Sequence, residues 1–182
     1  MTKGRTNIAK KIALVGIMTA TLECAKLVLA PIPNVEAVTL LTALYGYAFG
    51  YLGILASLLF VTLEPLIWGF GLWVISYFLY WPLLALLFLF IGRMNIKNRY
   101  TLTAVATVSA LISTVWFGVL TSLVDIGLFT GYYDDFFTRF GIYYLRGLSF
   151  YTTQLITNAV LFPLLFVVLS KRLLYLKKKM IS

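Results

Sequence analysis

The run LWVISYFLYWPLLALLFLFI, Leu72–Ile91, carries no charged side chain over 20 consecutive positions. A helix of about 20 apolar residues matches the roughly 30 Å hydrocarbon core of a bilayer. Gly69 and Gly71 before the run and Arg93 after it mark its ends. The rest of the chain has the same character. Of its 182 residues, 62% are hydrophobic, 16% aromatic and only 12% charged, with a mean hydropathy of +0.96. Soluble domains carry about a quarter charged residues, and a water-soluble chain of this length leaves about a third of its unfolded surface in water. So much apolar surface could not be hidden, and disorder requires low hydrophobicity. The sequence predicts an all-α integral membrane protein, a single membrane domain over residues 1–182.

On either side of this run, five further crossings are predicted. The first covers about 8–30 and stops at Pro31 and Pro33. The second covers 35–50, with Asn34 as its N-cap. The third covers 52–68 and carries Glu64 and Pro65 near its end. After 72–91 come a fifth at 102–129 and, beyond the polar stretch Gly131–Arg146, a sixth at 148–169. The second and third are short for a bilayer, so a re-entrant hairpin over 35–68 fits the same end topology.

Charge distribution orients this bundle. Lysine and arginine concentrate in Lys3–Lys11, Arg93–Arg99 and Lys171–Lys179, each beside an apolar run and without an acid. That is the positive-inside pattern of cytoplasmic flanks, not a nucleic-acid surface. Six crossings place all three clusters, and both termini, in the cytoplasm; five would strand one outside. The connections 31–35, 64–72 and 126–146 then lie outside the cell membrane. The first helix begins like a signal peptide, but Glu23 and Lys26 are out of place in a signal's apolar region, so it is read as retained.

The inventory points away from an enzyme. The chain has no histidine and one cysteine, Cys24. Its six acids are Glu23, Glu36, Glu64, Asp125, Asp134 and Asp135. Imidazole catalysis and a thiolate cage are therefore absent, and no P-loop, GxSxG or HExxH pattern occurs.

The segment PNVEAVTLL (33–41), then Tyr45 and Phe49–Gly50, EPLIWGFGLW (64–73) and Tyr80–Pro82 resemble the substrate-binding S components of energy-coupling factor (ECF) vitamin transporters. The resemblance covers nearly the whole chain. It implies a vitamin-capturing subunit that docks on a transmembrane coupling subunit and two ATPases. Those partners use the ATP, and this chain carries no cofactor of its own. Within the family the chain is most similar to the cobalamin-specific type. Pyridoxine, a pyrimidine precursor, a deazapurine and pantothenate are the other cargoes considered. The outer connections hold more acids than arginines, which disfavours anionic cargo such as pantothenate. A self-sufficient secondary carrier is the rival reading, although no duplicated half with paired broken helices is evident.

Candidate surfaces follow. Ala9 and Ala13 match the family's AxxxA pattern, which the resemblance assigns to docking on the coupling subunit. Gly16, Ala20 and Cys24 continue small residues along a neighbouring stripe, and such spacing also suits an ordinary intramolecular contact. Glu23 and Lys26, one turn apart, are expected to neutralise each other. Asn34 and Glu36 suit a cap on the second helix, and the resemblance implies that their connection also serves as a lid over the substrate, two roles that are compatible. Trp73, Tyr77 and Trp81 share a helical face; Trp73 suits an interfacial belt, whereas Tyr77 and Trp81 lie deeper and suit a ligand wall. Thr114, Gly118, Thr121 and Asp125 form one polar stripe. Tyr151, Gln154 and Asn158 form another, with Arg146 just before it. The loop holding Tyr132, Tyr133, Asp134, Asp135 and Arg139 either covers the mouth or is solvated. The predicted substrate site comprises Asn34, Glu36, Glu64, Trp68, Tyr77, Trp81, Asp125, Arg146, Gln154 and Asn158.

Overall fold

The computed structural model describes residues 2–129 and 134–181, and these are all-helical apart from short connections. The helices are α1 (Thr2–Leu29), α2 (Val38–Phe49), α3 (Tyr51–Trp68), α4 (Trp73–Arg93), α5 (Arg99–Phe129), α6 (Phe136–Arg146), α7 (Leu148–Leu161) and α8 (Val167–Ile181). A π-helical turn, Phe162–Phe166, joins α7 to α8 without a break in the rod. Pro163 explains it: proline lacks an amide proton and crowds the preceding turn, and a π-bulge absorbs both defects. Among the described residues, five helical stretches are long and apolar enough to cross a membrane: Asn7–Leu29, Tyr51–Trp68, Trp73–Arg93, Arg99–Leu128 and Leu148–Met180. The chain is a multi-pass membrane bundle.

The second predicted crossing is where structure and expectation differ most. Helix α2 starts at Val38 rather than residue 35 and has only 12 residues. At 1.5 Å per residue that is about 18 Å, well short of the hydrocarbon core. Ten of the 12 residues are buried, because α2 lies in the middle of the bundle and packs most extensively on α4. A short element is tolerated there because protein, not lipid, surrounds its ends. Its contact with α4 is close. A Cβ on Gly46 would strike the Ala85 carbonyl, and one on Gly92 would come within 2.7 Å of the Tyr47 carbonyl oxygen. Gly50, at φ +64°, turns α2 directly into α3.

Other boundaries shift for local reasons. Asn98 Oδ1 accepts the amides of Tyr100 (2.8 Å) and Thr101 (3.2 Å), so α5 begins at Arg99 instead of residue 102. The last rod runs on to Ile181 rather than stopping near residue 169. The stretch expected as an outer loop contains α6, whose Phe136, Phe140 and Tyr144 stack at four-residue intervals and lead onto Tyr151 of α7. Tyr132 and Tyr133 lie outside the described residues.

The alternating helices sort the connections to two ends. At one end Lys11, Gly50, Arg93 and Lys177 line a common depression. At the other, Ile32, Asn34, Trp68 and Phe150 come together.

Candidate functional site

At this second end the helices leave a cavity of about 260 Å³. The connection between α1 and α2 forms one side, with Ile32, Asn34, Val35 and Glu36. Tyr77 and Trp81 of α4 supply an aromatic wall, and Phe150 and Gln154 of α7 face them.

The aromatic wall is continuous. Trp73 meets Tyr77 edge-to-face at 5.0 Å between centroids, and Tyr77 meets Trp81 likewise at 5.7 Å. This is the predicted one-face stripe, and Trp73 extends it. Trp73, at the start of α4, also belongs to the stack and faces the same cation as Trp68 and Tyr77. That cation is Lys26. Its Nζ lies 5.3 Å from the Trp68 ring centre, 5.8 Å from Trp73 and 5.1 Å from Tyr77. All three are within cation–π range.

Lys26 also forms an ion pair with Glu64 of α3, not with Glu23 as its spacing suggested. A lysine side chain long enough to reach a neighbouring helix exchanges an i, i+3 partner for one that locks two elements. Glu64 is fully buried, whereas the Lys26 side chain keeps 26% of its surface exposed. Glu23 is also buried and lies within electrostatic reach of both. The Glu23 and Glu64 carboxyls are within hydrogen-bonding reach of each other, and apart from that mutual contact the Glu23 oxygens and Glu64 Oε1 have no partner. The cluster around Lys26 therefore holds more carboxylate than ammonium.

Glu36 takes the capping role at the start of α2. Thr39 N donates to its Oε2 at 2.8 Å, and the Thr39 hydroxyl donates to its Oε1. Glu36, not Asn34, thus satisfies the start of α2. Asn34 adopts φ +64°, a left-handed turn residue with its side chain at the cavity. Burial pushes the Glu36 carboxyl above its ordinary value, against the pull of the Thr39 hydrogen bonds.

Six of the predicted site residues line the cavity: Asn34, Glu36, Trp68, Tyr77, Trp81 and Gln154. Glu64 stands behind the wall and acts on it through Lys26. Asn158 is fully buried one turn below Gln154 and donates from Nδ2 to Thr114 Oγ1 at 3.1 Å, tying α7 to α5. The rest of that polar seam is likewise interhelical. The hydroxyls of Thr121 and Tyr151 are 3.0 Å apart, and Gly118 leaves room for the Tyr151 ring. Asp125 and Arg146 are not among the lining residues; Arg146 is exposed, with its guanidinium 5.7 Å from the Tyr143 ring centre. Sequence reasoning missed Lys26, Phe60 and Phe150 as lining residues. For Lys26 the signal existed: an ionisable group within a span faces a bundle interior or a polar cavity.

A second surface lies on the N-terminal half of α1. Ala9, Ala13, Gly16, Ala20 and Cys24 are all exposed, and a Cβ on Gly16 would meet nothing within 4 Å. Among the described residues, no helix covers this small-residue stripe. Ile8, Ile12 and Gly16 border an apolar groove between α1 and α3 of about 560 Å³.

No family model, curated protein or solved structure matches this chain.

Proposed function

We propose that the chain is the substrate-binding S component of an energy-coupling factor importer, capturing a vitamin-sized molecule outside the cell and delivering it inward. The observation that carries this reading is the division of α1 into two surfaces. Its last turns wall a polar and aromatic cavity through Lys26, while its first half bares a small-residue face that stays exposed among the described residues. Small residues let two backbones approach closely where lipid supplies no hydrophobic driving force. Ala9 and Ala13 are the contact made with a transmembrane coupling subunit. ATP is consumed by the two ATPases bound to that subunit. The positive-inside bias orients both termini and the Arg93–Arg99 connection to the cytoplasm, which turns the cavity outward from the cell membrane.

The cavity volume bears on the cargo. At about 260 Å³ it lies just under the range of roughly 300–1,000 Å³ typical of small-molecule sites. A one- or two-ring compound such as pyridoxine, a pyrimidine precursor or a deazapurine suits it closed. Cobalamin requires the connection between α1 and α2 to swing off the cavity.

The test is co-expression with a coupling subunit and its two ATPases. The wild-type chain is expected to co-purify with them and to support ATP-dependent uptake. The Ala9→Trp/Ala13→Trp variant is expected to lose assembly while staying folded and keeping the compound that co-purifies with it, identified by mass and absorbance. Normal assembly of that variant, or uptake by the chain without ATPases, overturns the reading.

A further inference from the structure

We infer that the cage formed by Trp68, Trp73, Tyr77 and Glu64 is a subsite for an organic cation, and that Lys26 is a tethered occupant which the cargo's positive nitrogen displaces. The inference deepens the proposed function and rests on the cavity being the cargo site.

The argument starts from what Lys26 touches. Its ammonium has three aromatic faces at 5.1–5.8 Å and a fully buried carboxylate. Aromatic faces attract cations through the ring quadrupole, and rings converging on one point form the kind of cage that recognises substituted ammonium groups. The site is thus already selecting for positive charge, with a side chain of the protein as the selected group. The charge balance agrees. Glu23, Glu36 and Glu64 surround the cavity and its wall, and among the described residues Lys26 is the one cation lining it.

An anionic cargo would draw Lys26 away from Glu64 and meet Glu36 in the same cavity lining. Glu64, left with only the like-charged group Glu23 within hydrogen-bonding reach, would then be a buried carboxylate without a counter-ion, which is strongly disfavoured. A cationic cargo replaces the ammonium in kind, and Glu64 keeps its partner. Lys26 has somewhere to go. It sits one turn from the end of α1 with part of its side chain exposed, and a long aliphatic stem can carry the ammonium out to the aqueous boundary. The unpartnered Trp81 Nε1–H, buried in the wall below the cage, is a donor for an acceptor elsewhere on the same molecule. The class of cargo is a compact compound with a quaternary or protonated nitrogen and a flat ring bearing an acceptor.

The experiment uses choline and its uncharged isostere 3,3-dimethyl-1-butanol as probes, titrated against tryptophan emission of the purified full chain. Choline is expected to bind Lys26→Met at least about tenfold more tightly than wild type, since the tethered competitor is gone, the scale of a desolvated cation–π contact. The isostere is expected to gain nothing, and Glu64→Gln in the Lys26→Met background is expected to abolish the preference for choline. An unchanged choline affinity, or an equal gain for the isostere, overturns the inference. If Lys26→Met does not fold, Lys26→Gln replaces it. If neither folds, wild type decides: choline must shift the emission saturably where the isostere does not, and equal responses overturn the inference. Failure of choline selectivity with normal assembly on the ATPase module sinks the cation subsite alone. Intact selectivity without assembly sinks the S-component reading alone.

Discussion

Trp81 is 4% exposed and contacts the rings of Phe60, Tyr77 and Tyr80 at centroid distances of 5.9, 5.7 and 4.8 Å. It is a core residue that shows one edge to the cavity. Trp81→Ala is therefore expected to cost about 3–5 kcal/mol of stability, read as an early thermal transition in detergent, so it cannot serve as a clean binding variant. Trp81→Phe keeps the packing and removes the Nε1 donor, and is the substitution that isolates recognition. A transition for Trp81→Ala within a degree or two of wild type would show that its ring is not buried as described. Glu36 gives a pH signature. Its folded carboxyl is raised by burial, so the folded state holds the proton more tightly than the unfolded state does. Its contribution is then least favourable at neutral pH and improves as pH falls through the raised value. As pH falls from neutral toward the ordinary carboxylate range, the wild-type transition is expected to rise relative to that of Glu36→Gln. A difference that stays constant with pH rules this out.

Among the elements, α2 depends on how closely it approaches α4. Gly46→Ala drives a methyl into the Ala85 carbonyl, and backbone cannot yield as a flexible side chain does. The expected loss is about 1–3 kcal/mol, the scale of overpacking, measured by thermal unfolding in detergent. Gly16→Ala is the control, because nothing lies within 4 Å of the added carbon. It should leave stability at or slightly above wild type, since alanine is the better helix former. Similar losses at both glycines would mean that α2 does not pack on α4 in this way. The α7–α8 rod illustrates a different dependence. Phe162 and Phe166 of its π-turn stack 5.6 Å apart and both meet Phe88 of α4. Four residues apart, the two rings share one face of the rod and lie together against α4.

For the molecule as a whole, orientation is the property to test. Cys24 is the one native cysteine, so a Cys24→Ser background permits single-cysteine mapping. Ile32→Cys and Lys97→Cys stand at opposite ends of the bundle, and both parent residues are exposed. A membrane-impermeant maleimide is expected to label Ile32→Cys in intact cells and Lys97→Cys only in inverted vesicles. The reverse pattern would turn the cavity to the cytoplasm and remove it as a capture site.

The sequence by itself determined the solvent and the periodicity. Apolar runs such as Leu72–Ile91, with basic clusters beside them, admit only helices in lipid, because backbone polar groups must bond within their own segment. The four-residue spacing of Trp73, Tyr77 and Trp81 placed them on one face before any neighbour was known. Proline and glycine punctuation located most helix ends to within a few residues. Tertiary structure decided who meets whom. Nothing local distinguishes Glu23 from Glu64 as the partner of Lys26, since a long side chain reaches across helices as readily as along one. The small residues of α1 read alike whether packed or bare; only the surrounding helices show that Ala9 and Ala13 are uncovered. Asp125 and Arg146 looked like neighbours of the cavity because they flank the outer mouth in sequence, yet the fold spends that end of the bundle on α6, whose amphipathic pattern a polar composition concealed. The length of α2 was likewise a tertiary outcome, set by Glu36 capping it late and by neighbours that shield its ends from lipid.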